Sequence, residues 1–162
     1  MENNAGTAWK ALGLGGIAGL RSMAAPAILS RSIAEGHLDN LEGSSFAALG
    51  SPGVSRALRI LEVGEMVGDK LPIAPSRTFV PALLVRAASG ALVGATLFTS
   101  ARGGRRAAAG GAALGAISAL TTSYAGEKLR VEGAQRLGVP SIVLALLEDS
   151  LVLFGGNRLL GR

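Results

Sequence analysis

The 162-residue sequence contains no cysteine and a single histidine, His37. Without a thiol there can be no cysteine nucleophile, iron–sulfur cluster, zinc-thiolate site or disulfide framework. One imidazole per chain also excludes a multi-histidine metal site and a histidine-ligated haem pair. A Ser-His-Asp triad would have to recruit His37, which lies in the polar stretch Glu35-Gly-His37-Leu-Asp39-Asn40. No serine sits in a Gly-x-Ser-x-Gly turn, so His37 reads as a solvated loop residue.

Aromatic residues are scarce at 4%, and charged residues make up only 17%. The net charge of +5 would suggest nucleic acid in a soluble protein. Here the cations are spread over short polar segments. The one dense cluster, Arg102-Gly-Gly-Arg105-Arg106, has no interleaved aromatics on which bases could stack. It reads as a topology signal or a contact for anionic lipid, and no nucleic-acid partner is expected.

Apolar residues, by contrast, make up 49% of the chain, with 24 glycines besides. The mean hydropathy is +0.43. A disordered chain and a two-domain soluble enzyme are both excluded. What remains is one integral membrane domain spanning residues 1–162, all-α and polytopic.

The first apolar run, Trp9 to about Leu29, is long enough to cross, because about 20 residues span about 30 Å of hydrocarbon. Arg21 interrupts it and Pro26 follows. A cleaved leader would carry its cation ahead of the apolar core, not inside it. Residues 31–52 are polar and read as a loop with a short surface helix. Over residues 54–71, Arg56, Arg59, Glu62, Glu65 and Asp69 recur every three or four positions. They therefore share one stripe of an amphipathic helix, lying on the membrane or spanning it with its polar stripe inward. Pro72, Pro75 and Pro81 punctuate the next connection. Val80 to about Ser100 is a spanning segment broken only by Arg86. Ala107 to about Ala125 is uncharged but rich in Ala, Gly, Ser and Thr. Residues 126–137 are charged, and Val139–Phe154 is apolar around Glu148 and Asp149.

This gives four transmembrane helices, or five if residues 54–71 span. The basic turn at 102–106 belongs in the cytoplasm with the C-terminus on the same side. Five spans would put the N-terminus outside, and four would put it inside. Gly-x-x-x-Gly occurs at Gly15/Gly19, Gly64/Gly68, Gly90/Gly94 and Gly111/Gly115. Such pairs let helix backbones approach closely, either within one bundle or across a homo-oligomer. Leu14-Gly15-x-Ile17-x-x-Leu20 echoes Leu114-Gly115-x-Ile117-x-x-Leu120. Leu58-x-x-Leu61-Glu62 echoes Leu144-x-x-Leu147-Glu148. If all five segments span, the paired helices cross in opposite directions, the inverted-repeat arrangement of transporters.

Arg21, Arg86, Glu148 and Asp149 lie inside apolar runs, and Glu62, Glu65 and Asp69 on the amphipathic helix. A charge at the bilayer centre costs about 3 kcal/mol or more unless paired or hydrated. These seven residues therefore form the candidate binding site or ion pathway, with a purely structural salt-bridge lattice as the competing reading. Adjacent Glu148 and Asp149 point about 100° apart on a helix, so at most one faces the bundle centre.

Those charges recur in short motifs. Gly19-Leu-Arg21-Ser22, Glu65-x-x-x-Asp69-Lys70-x-Pro72-x-x-Pro75-x-Arg77, Arg86-Ala-x-Ser-Gly90-Ala, Leu137-Gly-Val-Pro140 and Glu148-Asp149 resemble the family known as domain of unknown function 4126. The resemblance covers about residues 10–155 and implies a small bacterial integral membrane protein with a helical fold. It implies no activity, but it directs attention to Arg21, Glu65, Asp69, Lys70, Arg77, Arg86, Glu148 and Asp149. The expected protein is a multi-pass protein of the bacterial inner membrane, transporter- or channel-like for a small ion or solute. Membrane lipids and further copies of the chain are its expected partners. The alternative is an accessory subunit docked against partner membrane subunits. No cofactor is expected, and no spaced motif supports a membrane enzyme using Glu and Asp as acid, base or metal ligands.

Overall fold

A computed structural model describes residues 4–38, 40–68, 79–137 and 141–160. Among them there are only helices and connections: α1 (Asn4–Leu20), α2 (Ala24–Ala34), α3 (Pro52–Gly68), α4 (Val80–Arg102), α5 (Arg105–Leu137) and α6 (Ser141–Leu159). A 3₁₀ turn, Ser45–Gly50, lies between α2 and α3, within the segment read as loop with a short helix. Asp69, Lys70 and Arg77 lie outside the described residues.

The single span expected over Trp9–Leu29 does not exist. The chain breaks at Arg21–Met23 and turns back, so α1 and α2 form a helical hairpin. Pro26 helps to explain the break. It has no N–H for a helix running on from α1, but in the first turn of a new helix that N–H has no intrahelical partner anyway. Side-chain contacts define the reversal. Ile17 of α1 and Ile28 of α2, on either side of the turn, both reach Gly156 of α6. After α2, the Asn40 amide reaches the Ser100 carbonyl at the far end of α4, 3.5 Å away.

The remaining helices also alternate in direction. Ile33 packs on Gly50 while Glu65 meets the α1–α2 turn, so α3 runs back along α2. Gly90 pairs with Gly115 and Gly94 with Gly111, so α4 and α5 are antiparallel. Ser118, Thr122 and Ser123 of α5 donate to the carbonyls of Leu12, Gly16 and Gly19, so α5 runs parallel to α1. Asp149 meets Arg21 and Leu159 meets Gly13, so α6 runs antiparallel to α1. The start of α1, residues 40–51, the 103–104 turn and the end of α6 share one end of the bundle. The extra reversal at Arg21–Met23 is why this differs from the five-span arrangement, in which the two ends of the chain lie on opposite sides. The echoed segments also fail to share one inverted symmetry. Leu14–Leu20 and Leu114–Leu120 lie on parallel helices, whereas Leu58–Glu62 and Leu144–Glu148 lie on helices of opposite direction.

Close packing of α1, α4 and α5 is set by glycine. A Cβ built on Gly15 would lie 2.7 Å from the Gly115 carbonyl oxygen. One on Gly94 would overlap the Gly111 carbonyl, and one on Gly19 would overlap Thr122 and Ala119. Three of the four Gly-x-x-x-Gly pairs are therefore used inside the chain. The fourth, Gly64/Gly68, meets nothing. The α4–α5 turn depends on glycine for a different reason: Gly103 and Gly104 adopt φ of 68° and 81°, where a side chain is strained.

α4, at 23 residues, is the one helix among those described that is long and apolar enough to cross a membrane. α1 is shortened by the break to 17 residues, and α6 carries Glu148, Asp149 and Arg158. The single 33-residue α5 joins the small-residue segment to the charged stretch after it. At 1.5 Å per residue it is about 50 Å long.

Glycine at the two kinds of position should respond oppositely to alanine. Gly94→Ala should lower the thermal midpoint, at a cost of about 1–3 kcal/mol for overpacking. Gly64→Ala should leave it unchanged or raise it, because alanine favours helix by about 0.5–1 kcal/mol where nothing is in the way. Thermal unfolding of the two purified variants in detergent checks both signs.

Candidate functional site

Turning the chain at Arg21–Met23 creates two exposed helix ends inside the protein. The last carbonyls of α1 and the amides at the entry to α2 lack intrahelical partners. Leaving such groups buried and unmatched costs about 1–3 kcal/mol each. Side chains from four other segments of the structure converge to supply what is missing.

The turn leading into α2 is closed by Glu65 of α3. Its Oε1 accepts from the Ser22 backbone N–H and from the Ser22 hydroxyl, each at 2.8 Å. Its Oε2 accepts from the Met23 N–H at 2.8 Å. A negative charge at this position also complements the positive end of the helix dipole. The α1 end is closed by cations and hydroxyls. Arg86 Nη1 of α4 donates to the Gly19 carbonyl at 2.6 Å, and Ser123 Oγ of α5 donates to the same oxygen at 3.0 Å. Arg21 follows directly. Its Nε donates to Asp149 Oδ1 of α6 at 2.9 Å, Nη2 lies 2.6 Å from that oxygen, and Nη1 reaches the Glu65 carbonyl at 3.5 Å.

The site is buried. Arg21 is 1% exposed, and Arg86 and Asp149 are 5% exposed. Ions held this far from water are retained only when paired and hydrogen-bonded. Large apolar side chains face outward by contrast: Phe154 is 76% exposed, Leu84 66% and Ile60 65%. Between Ile60 and Val67, α3 shows the same inversion on one helix. Glu62 and Glu65 are half-buried, while Ile60, Val63 and Val67 face outward.

Of the seven residues expected to form the site, the structure brings together Arg21, Glu65, Arg86 and Asp149. Glu62 lies one turn earlier on α3, half-buried and close enough to feel the charges of Glu65 and Arg59. Glu148 is half-buried beside the buried Asp149, so only one of the adjacent pair reaches the interior. Asp69 falls outside the described residues. Sequence reasoning missed the hydroxyl donors Ser22 and Ser123 and the role of backbone groups. Ser118, Thr122 and Ser123 recur on the α1-facing side of α5, a signal that hydropathy alone discards. His37 is a half-exposed residue beyond α2, with Nδ1 3.7 Å from Glu35. No three His, Cys, Asp or Glu side chains come together as a metal site among the described residues.

Fold and site define a class: an all-helical protein built around a broken-helix hairpin, whose buried tip is a charged cluster drawn from separate helices. The chain belongs to the family described as domain of unknown function (DUF4126), which it matches over residues 9–156. No curated protein and no solved structure matches it.

Removing one partner of the Arg21–Asp149 pair should strand the other. Asp149→Ala is expected to destabilise by about 3–5 kcal/mol. Glu65→Gln, which keeps size and one oxygen but puts an amide donor against the Met23 or Ser22 N–H, should cost about 1–3 kcal/mol. Thermal midpoints of the purified variants in detergent give both, and equal midpoints for wild type and Asp149→Ala would contradict the pairing.

Proposed function

We propose that the chain is a multi-pass protein of the bacterial inner membrane that carries a small ion or solute, working as an oligomer. The observation that carries this reading is the meeting of two helix ends, three buried charged side chains and the half-buried Glu65 at one point in a bundle with large apolar side chains on its outside. Broken helices of this kind occur in transporters, where helix ends and side chains contact the transported species. Backbone that is not helical survives at membrane depth only when protein or a water-filled cavity surrounds it. The tip of the α1–α2 hairpin satisfies that condition, and its alternating charges suit an ionic or polar cargo.

The six helices alternate in direction, so in this reading the 102–106 turn, the start of α1 and the end of α6 lie in the cytoplasm, as the positive-inside rule favours. α2, at 11 residues, is about 16 Å long. The α1–α2 hairpin is then re-entrant, entering from the cytoplasmic side and turning within the bilayer.

A second reading rests on Gly64 and Gly68. Their open, apolar surroundings on the outside of α3 would suit close docking of a helix from another subunit, making the chain part of a larger complex.

The absence of native cysteine makes the tip testable. In inside-out and right-side-out membrane vesicles, Ser22→Cys should react with a membrane-impermeant thiol reagent from at least one side, while wild type stays unlabelled. No labelling from either side would favour a sealed structural lattice. Native mass spectrometry of gently extracted protein then separates the two readings. A homo-oligomer alone supports transport, and a stoichiometric set of foreign chains supports the subunit.

A further inference from the structure

A second site lies away from the hairpin tip. Between the end of α2, the 3₁₀ turn and α3 as far as Val63 is an open groove of about 710 Å³. Ala34, Ser55, Arg56, Arg59, Ile60 and Val63 are among its lining residues. The volume is in the range of small-molecule sites, about 300–1,000 Å³.

Three features of the groove are unmatched within the chain. Arg56 and Arg59 are both exposed, and neither forms an ion pair among the described residues. Arg59 also acts on Glu62 one turn further along, which leaves Arg56 the freer cation. Ser55 is 4% exposed, yet its hydroxyl has no hydrogen-bond partner. Such a buried hydroxyl is costly unless a partner arrives. Ile60 and Val63 follow Arg56 and Arg59 at a spacing of four, so each stands one turn along the helix from a guanidinium. They are 65% and 59% exposed.

Polarity thus changes in order along the groove. A hydroxyl and two guanidiniums come first, at the end of the bundle that carries the 103–104 turn, and apolar side chains follow toward the middle. A ligand that fits must be anionic at one end and hydrocarbon at the other. Two guanidiniums suit phosphate, to which arginine binds with paired donors.

We propose that this groove holds an anionic phospholipid, its phosphate between Arg56, Arg59 and Ser55 and an acyl chain along Ile60 and Val63. The inference rests on membrane residence but not on transport. In that setting Arg56 lies on the second turn of α3, about 6 Å along its axis from Pro52, where the headgroups of the cytoplasmic leaflet begin. Each arginine near an anionic surface contributes about 1 kcal/mol. Loss of both corresponds to about 30-fold in affinity.

The test uses the full chain purified in a non-ionic detergent, titrated with phosphatidylglycerol or phosphatidylcholine and read by native mass spectrometry. Wild type should retain phosphatidylglycerol in preference to phosphatidylcholine. Arg56→Ala combined with Arg59→Ala should weaken phosphatidylglycerol about 30-fold and leave phosphatidylcholine unchanged. Both arginines are exposed, so the thermal midpoint and monodispersity should match wild type and exclude misfolding as the cause. Ile60→Asn combined with Val63→Asn should weaken retention of the lipid without removing its headgroup preference. Equal retention of both lipids, or a double arginine variant that binds like wild type, would overturn the proposal. So would displacement of the lipid by inorganic phosphate in excess, because the site would then take the free ion. Sedimentation of the arginine variant with carbonate-washed membranes, expected unchanged, distinguishes loss of the groove from a chain that does not reside in membranes.

Discussion

Reversing a helical chain inside a bundle creates unpaired backbone groups, and the rest of this structure is arranged to answer them. The turn at Arg21–Met23 leaves carbonyls of α1 and its own amides, which lead into α2, away from water. Glu65 supplies acceptors for the amides, and Arg86 and Ser123 supply donors for the carbonyl of Gly19. The buried charges follow from the same requirement. Arg86 completes a helix end, and Arg21, at the turn itself, is matched by Asp149. Charge is placed where backbone polarity is exposed, and the low-dielectric surroundings make each of these contacts stronger and each omission more costly.

That arrangement works only if α1, α4 and α5 come very close. Arg86 can reach the Gly19 carbonyl because Gly15, Gly19, Gly90, Gly94, Gly111 and Gly115 remove the side chains that would hold the helices apart. Close approach also brings the hydroxyls of Ser118 and Thr122 onto the carbonyls of Leu12 and Gly16. These oxygens already accept helical hydrogen bonds, so the hydroxyls add a second contact across the interface. Packing by small residues and bonding by small hydroxyls is how helices associate when burial of apolar surface gives little drive.

Much of this was legible in the residues. The all-helical class followed from apolar run lengths, and α3 from the spacing of Arg56, Arg59, Glu62 and Glu65. The costly positions of Arg21, Arg86 and Asp149 marked the interior correctly. The hairpin was not legible, because hydropathy averages over Trp9–Leu29 and does not register a change of direction. Arg21 and Pro26 were the local signs of a break, but neither says whether a chain kinks or reverses. The ladder on α5 was hidden for a related reason. Serine and threonine lower a hydropathy score whether they face solvent or the carbonyls of a neighbouring helix. The echoed segments misled because Leu, Gly and Ala at helical spacing describe any tightly packed helix.

The pair between Arg21 and Asp149 joins residues 128 positions apart. A ribosome makes the chain from its N-terminus at about 5–20 residues per second. Arg21 therefore exists for about 6–26 s before Asp149 has been made, and Glu65 arrives well before Asp149. The hairpin tip is completed in stages: first its amides by α3, then its Gly19 carbonyl by α4 and α5, and last its arginine by α6. A chain truncated before α6 would contain the whole hairpin and still leave Arg21 without Asp149. Arrival of α6 thus changes the electrostatics of a turn made more than a hundred residues earlier, so the two ends of the described fold are locked together by one ion pair.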